Sequence, residues 1–233
     1  MNVLAVGAHP DDLEILCGGT LARYAREDHR VVMAHVNNGN KGHHHIPPDE
    51  LAGIRDKEAI ASSSIIGAEH INIDIDDLDV YVEREQVLKC VDLIRGTEPD
   101  VIITHSPDDY MPDHSVSARI VFDASFVATL PNVKTRYRHF DRVTPIYYMD
   151  TLAGVNSKPS EYVDITDTFE TKQKMLSCHK SQLDWLKEHD KVDILQFIRT
   201  VAEFRGLQCG ARFAEAFSRV EKWGRNPVKR LLP

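Results

Sequence analysis

The sequence predicts an α/β fold, a Rossmann-like three-layer αβα arrangement around a mostly parallel central sheet. Two observations carry that expectation. Strand-like and helix-like segments alternate as β-α-β-α-β-α-β-α from Asn2 through Phe126, and such alternation needs long right-handed crossovers, which lay helices on both faces of parallel strands. The strand-like runs are short, continuous and apolar, as expected of strands covered on both faces.

The elements follow in order. Asn2 to Gly7 (NVLAVG) is too short and too β-branched for a helix and reads as a buried central strand. After His9 to Cys17, the residues Gly18-Gly19-Thr20 lead into a helical stretch with Leu21, Tyr24 and Ala25 at helical spacing. Arg30 to Val36 is the next strand, followed by a Gly/Asn/His loop from Asn37 to Pro48 and a helix from about Asp49 to Ile66. A strand at His70 to Ile75, a helix at Glu83 to Arg95 and a strand at Asp100 to Thr104 come next. The polar loop His105 to Asp113 then opens a helix through Ile120, Val121 and Phe126. Beyond Pro145, strands are expected at Ile146 to Met149 and Tyr162 to Ile165, and helices at Thr168 to His189 and Ile194 to Arg205. No repeat, low-complexity segment or Pro/Gly/Ser-rich linker divides the chain, so residues 1–233 are expected to form a single domain.

Composition excludes several classes of function. With 28 Lys+Arg against 36 Asp+Glu the formal charge is −8, the wrong sign for a nucleic-acid binder. No apolar run approaches the roughly 18 to 20 residues needed to span a bilayer. Met1-Asn2-Val3-Leu4 enters the first strand without a basic n-region or cleavage site, so no signal peptide is expected and the expected location is cytoplasmic. Cys17, Cys90, Cys178 and Cys209 form no C-x-x-C pair and read as small hydrophobes or stray thiols rather than zinc ligands.

In open parallel sheets ligands bind outside the carboxyl ends of the strands. Ala8-His9-Pro10-Asp11-Asp12 directly follows the first strand, and Tyr110-Met111-Pro112-Asp113-His114 follows the Asp100 to Thr104 strand, so both clusters fall on one rim. Either cluster alone also reads as a helix-capping turn. Together they offer the imidazole and carboxylate donors of a mononuclear Zn2+ or Fe2+ site, with a position left open for water. Two adjacent aspartates do not easily reach one ion. Asp12 is therefore assigned to the metal and Asp11 to the metal-bound water, as the general base of an amide hydrolysis. Asp113 is expected to accept a hydrogen bond from an imidazole or to cap the helix it begins. Gly18-Gly19 lacks the G-x-G-x-x-G of a dinucleotide site and reads as close backbone packing. His43-His44-His45 reads as an adventitious metal tract in a loop.

These motifs, AHPDD followed by GGT, a helix with R-x-x-E and a late PDH, resemble the PIG-L/LmbE family of metal-dependent deacetylases over nearly the whole chain. Cys178-His179-Lys180-Ser181-Gln182, Arg205-Gly206 and Gly210 to Phe217 resemble the bacterial branch acting on glucosaminyl-malate in bacillithiol synthesis. The resemblance implies removal of an acetyl group from an N-acetylglucosaminyl conjugate, a small-molecule substrate, with zinc held by His9, Asp12 and His114 and Asp11 as base. It also implies substrate contacts at Arg55 and Asp77 and a homo-oligomer, a trimer or hexamer. Arg55 also reads as a surface ion pair with Glu58, and Asp77 as part of a solvated acidic run. One departure stands out. Many relatives carry HPDH where this chain has Met111-Pro112-Asp113-His114, and methionine cannot polarise a carbonyl or protonate an amine. Tyr110, His105 and His179 are candidates for that role. The departure keeps open a second reading, a hydratase or lyase of an unsaturated dicarboxylic acid on the same fold. A third, a non-catalytic metal-binding module, has no use for Asp11.

Overall fold

The computed structural model describes residues 1–233. Strands β1 (Asn2–Gly7), β2 (Arg30–Asn37), β3 (Glu69–Ile75), β4 (Val101–Thr104), β5 (Ile146–Met149), β6 (Glu161–Asp164) and β7 (Ala214–Arg219) form one sheet in the order β3-β2-β1-β4-β5-β7-β6. β3, β2, β1, β4 and β5 run parallel to one another, and β7 runs antiparallel to both β5 and β6. The helices are α1 (Asp12–Arg26), α2 (Pro48–Ile65), α3 (Arg84–Thr97), α4 (Pro112–Val127), α5 (Phe169–Leu176), α6 (Lys180–Glu188) and α7 (Ile194–Cys209). None is long and apolar enough to cross a membrane.

Strand alternation sorts the apolar side chains into two cores, one per face. Val3, Ala5, Met33 and Ile103 pack with Leu13, Leu16 and Leu21 of α1, whereas Leu4, Val6, Val32 and Ile102 pack with Ile94 of α3 and Ile120 of α4. Cys17 and Cys90 are buried one in each core. The three-layer expectation therefore holds, with its parallel strands in the centre and an antiparallel pair at one edge.

Three local expectations are corrected. α1 begins at Asp12, well before Gly18-Gly19, so both glycines lie inside it. Tertiary packing overrides their poor helix propensity: a Cβ on Gly19 would stand 2.8 Å from the Ile165 side chain, so only glycine lets α1 approach the segment after β6 this closely. The single helix expected over Thr168 to His189 is two, α5 and α6, broken at Ser177 to His179, where the chain turns His179 into the interior. β7 is an additional strand, and its Glu215 is buried, accepting hydrogen bonds from the backbone N–H groups of Gly19 (2.9 Å) and Thr20 (2.7 Å) and from the Lys172 ammonium.

The topology also fixes where a ligand can sit. From β1 the chain crosses through α1 to β2 on one side, and from β4 it crosses through α4 to β5 on the other, so a crevice opens between the carboxyl ends of the neighbouring strands β1 and β4.

Candidate functional site

The crevice holds a cavity of about 370 Å3 whose floor is formed by His9, Asp11, Asp12, Arg55 and His114. Two loops of the β1 and β4 ends bring them together. Pro10 forces His9 into an extended conformation, and the chain then turns at Asp11, which adopts φ 127°, ψ −24° before α1 starts. A residue with a Cβ is strained there by about 1–3 kcal/mol. Arg55 of α2 holds the turn in place: its Nη2 donates to the Pro10 carbonyl at 2.5 Å and to Asp11 Oδ1 at 2.9 Å, and its Nη1 donates to the Gly39 carbonyl at 3.2 Å. Gly39 has φ 77°, and a Cβ there would stand 2.6 Å from the Arg55 side chain, so glycine is what lets the guanidinium pass.

Asp12 lies at the centre of the polar cluster. Its Oδ1 is 3.2 Å from His114 Nε2, and its Oδ2 is 3.4 Å from His9 Nδ1 and 3.1 Å from His105 Nε2. His9 Nε2 meets Asp113 Oδ2 at 3.0 Å, and the same oxygen accepts the Leu78 N–H. Asp109 Oδ2 stands 3.2 Å from His114 Nδ1 on the far side of that ring.

Burial alone disfavours charge on these imidazoles, but the surrounding carboxylates outweigh it. His9, hydrogen-bonded to Asp113 and Asp12, is raised to about 10, and His114, beside Asp12 and Asp109, to about 9. Burial also works against the Asp12 carboxylate, yet His114 and His105 hold it well below its usual range. Such a cluster is short of positive charge, which protons on His9 and His114 would supply, whereas burial lowers His105 to about 4. A divalent cation would supply it instead. Both ring nitrogens of His114 are buried without a hydrogen-bond partner, and the donor atoms of His9, Asp12 and His114 all lie within 4.8 Å of one another. The chemistry of the set fits a cation of the Zn2+ or Fe2+ class. Two overlapping groups, His105–Asp109–His114 and His9–Asp77–Asp113, meet the same distance test; neither contains His43, His44, His45 or a cysteine.

Asp11 is different in kind. Its carboxylate points to Arg55 rather than to the imidazoles, and burial lifts it to about 6 against the opposing pull of Arg55. A carboxyl group poised there both accepts and returns a proton near neutral pH.

The remaining sequence candidates divide. Arg55 lines the cavity but is buried against Asp11, not paired with Glu58, whose carboxylate instead accepts from the Ser181 backbone and hydroxyl. Both oxygens of Asp77 accept loop N–H groups, from Gly39 at 2.9 Å and Lys41 at 3.0 Å, and the residue is not among those lining the cavity. Of the three residues considered in place of the missing histidine, Tyr110 alone faces the cavity. His105 is fully buried beneath Asp12 and stacked on His114 at 3.9 Å, and His179 is fully buried against Glu14 at 3.2 Å. Sequence reasoning did not single out Asp109, which has no spacing relation to His114, or Glu14, which falls two residues past the motif within α1.

A family model described as PIG-L, GlcNAc-PI de-N-acetylase, matches residues 4–125, more than half of the chain and all of the floor just described. The chain belongs to the PIG-L family. Among the relatives of this PIG-L chain is the diacetylchitobiose deacetylase of Thermococcus kodakarensis, 29% identical over 92% of this chain and 81% of that protein. Another is the 4-oxalmesaconate hydratase of Pseudomonas putida, 23% identical over 89% of this chain and 80% of that protein. The solved structure of N,N'-diacetylchitobiose deacetylase from Pyrococcus horikoshii superposes with a TM-score of 0.82 at 27% identity, covering 94% of this chain and 83% of that one. The PIG-L fold thus occurs in proteins named for acetamide hydrolysis and in one named for hydration.

Proposed function

We propose that this chain hydrolyses the acetamide of an N-acetylglucosaminyl conjugate, releasing acetate and a free amine. The observation that carries the proposal is Asp11: a buried carboxyl group at about 6, lining the cavity beside the cation-holding set without belonging to it. His9, Asp12 and His114 would hold the cation, which when bound acidifies a water and polarises the amide carbonyl. Asp11 takes the proton of the attacking water and delivers it to the departing nitrogen as the C–N bond breaks. Arg55 keeps Asp11 aimed during both transfers. Asp113 fixes the His9 ring, and Asp109 stands beside His114 Nδ1 at 3.2 Å. Tyr110 is the cavity-facing hydroxyl nearest in sequence to the departed histidine and takes its part toward the carbonyl oxygen.

The hydratase reading needs the same cation and base but no cleaved bond. It also needs cations for a dicarboxylate. Arg55 is the only Lys or Arg lining the cavity, its Nη1 and Nη2 donate to Gly39, Pro10 and Asp11, and its Nε is buried. This favours a substrate without extra carboxylates near the reacting centre.

The test is acetate release together with metal content, on protein purified without a chelating column, against a panel of N-acetylglucosaminides that includes the malate conjugate, with an unsaturated dicarboxylic acid as the competing substrate. Acetate from the panel with bound metal is the expected result. Bound metal, no acetate, and loss of the dienoate absorbance would replace the deacetylase by the hydratase.

A further inference from the structure

The cavity is two-sided. Opposite the polar floor stands a wall from α6, α7 and the turn between them, with Leu152 of the loop after β5: Leu152, Trp185, Leu186, Val192, Ile194 and Phe197. Leu152, Leu186 and Phe197 have their inner sides against the core, and Ile194 belongs to it. The turn is closed by the Val192 N–H donating to the Leu186 carbonyl at 3.1 Å, and Asp193 caps α7 through the N–H groups of Leu195 and Gln196. Trp185 is braced on two sides, by His189 stacked at 4.3 Å and by His44 at 4.4 Å, which gives one member of the histidine tract a part in the wall. The wall is therefore set before any ligand arrives.

Two of the polar side chains beside it are each tied to a neighbour. Gln182 donates to the Gly42 carbonyl at 3.2 Å, and Asp190 meets His189 Nδ1 at 2.7 Å. Asp77 and both Nη atoms of Arg55 are engaged as described, which leaves the Tyr110 hydroxyl as the open polar group on this side. A polyhydroxyl group laid on this wall would give up hydrogen bonds to water and find few in return, which is unfavourable, whereas an apolar group would gain from leaving water.

We propose that the substrate carries an apolar group, an alkyl or aryl substituent of the amino sugar, and that the α6–α7 wall receives it. The proposal rests on the deacetylase reading for where the amide sits; an apolar aglycone leaves the acetamide unchanged, whereas an apolar acyl chain would replace its acetyl group. Such a group has two places of attachment, the aglycone and the acyl chain.

Two substrate series separate them: methyl, butyl, hexyl and phenyl glycosides of N-acetylglucosamine, and methyl glucosaminides N-acylated with acetyl, butyryl or hexanoyl. Free amine is the readout for both. One series should rise in kcat/KM by about fourfold per buried methylene until the wall is covered. A rise among the glycosides makes the group an aglycone; a rise among the amides makes it the acyl chain. Leu186→Ser should flatten whichever series rises. Turnover that is flat or falling along both series overturns the proposal. If nothing is turned over, binding decides. The chain has two tryptophans, and Trp223 is fully exposed, so in a Trp223→Phe background the fluorescence reports Trp185. Quenching by the glycosides that strengthens with alkyl length keeps the wall and removes the deacetylase reading; no quenching removes the wall as well.

Discussion

Asp11→Asn separates what the floor does for chemistry from what it does for stability. Asparagine retains an oxygen for Arg55 Nη2 and tolerates the positive φ better than most residues, so the turn should survive the change. In the folded apoprotein Asp11 keeps its proton to about pH 6, whereas in the unfolded chain it loses it near 3.8. Between those values the folded state binds the extra proton, so stability falls as pH rises, by up to about 1.4 kcal/mol per unit. The whole interval amounts to about 3 kcal/mol, present above pH 6 as a burden of the ionised group. A neutral amide carries no such burden. Urea unfolding of chelator-treated protein at pH 4 and pH 7 should find the variant close to the parent at the lower pH and more stable by about 3 kcal/mol at the higher. With cation restored, the variant should retain metal and lose about 10²- to 10⁴-fold in kcat. A variant no more stable than the parent at pH 7 would show that burial does not lift Asp11. Undiminished turnover would remove it from the proton transfers.

Other residues give sharper single outcomes. His9→Ala and His114→Ala should each abolish binding of the single ion expected per chain, read by atomic absorption after dialysis; stoichiometric zinc in either variant takes that residue out of the ligand set. His35 has both ring nitrogens buried without partners, and burial lowers it to about 3. The unfolded chain takes up a proton below pH 6.5 that folded His35 refuses, so stability should fall with pH from 6.5 toward 3 by up to about 1.4 kcal/mol per unit. His35→Leu should lose this component of the acid slope, and an unchanged slope would assign it elsewhere. Gly19→Ala should lower stability by about 1–3 kcal/mol through the clash with Ile165, despite the better helix propensity of alanine. Adding Ile165→Ala should make the pair less harmful than the two changes summed, and strict additivity in thermal unfolding would locate the clash elsewhere.

The sequence discloses the parts of this fold that obey a period. β1 and β4 are short apolar runs and β2 is one broken by His35, and the His9–Asp12 and Asp113–His114 clusters follow strands, so the rim on which both clusters lie is legible in the sequence. Legibility fails where a distant partner sets the local outcome. Nothing local announces that Gly18-Gly19 continues a helix, because the reason is Ile165, far along the chain. β7, AEAFSR, is poor in β-branched residues and becomes a strand by pairing with β5 and β6. The break between α5 and α6 at Ser177 to His179 has no proline or glycine to mark it; Glu14, on the first helix, receives the buried imidazole there. Arg55 was visible as a residue but not as the clamp on Asp11, since that role depends on the left-handed turn at Gly39.

The Glu215 carboxylate bears on the order in which this protein is made. It caps two N–H groups of α1 across 196 and 195 residues and pairs with Lys172 on the way. A chain synthesised as far as Phe126 holds all the floor residues, yet its α1 lacks the buried Glu215 carboxylate that Gly19 and Thr20 meet in the finished fold. The first helix, which carries Asp12 at its start, therefore gains this buried partner only when the last strand of the sheet is in place.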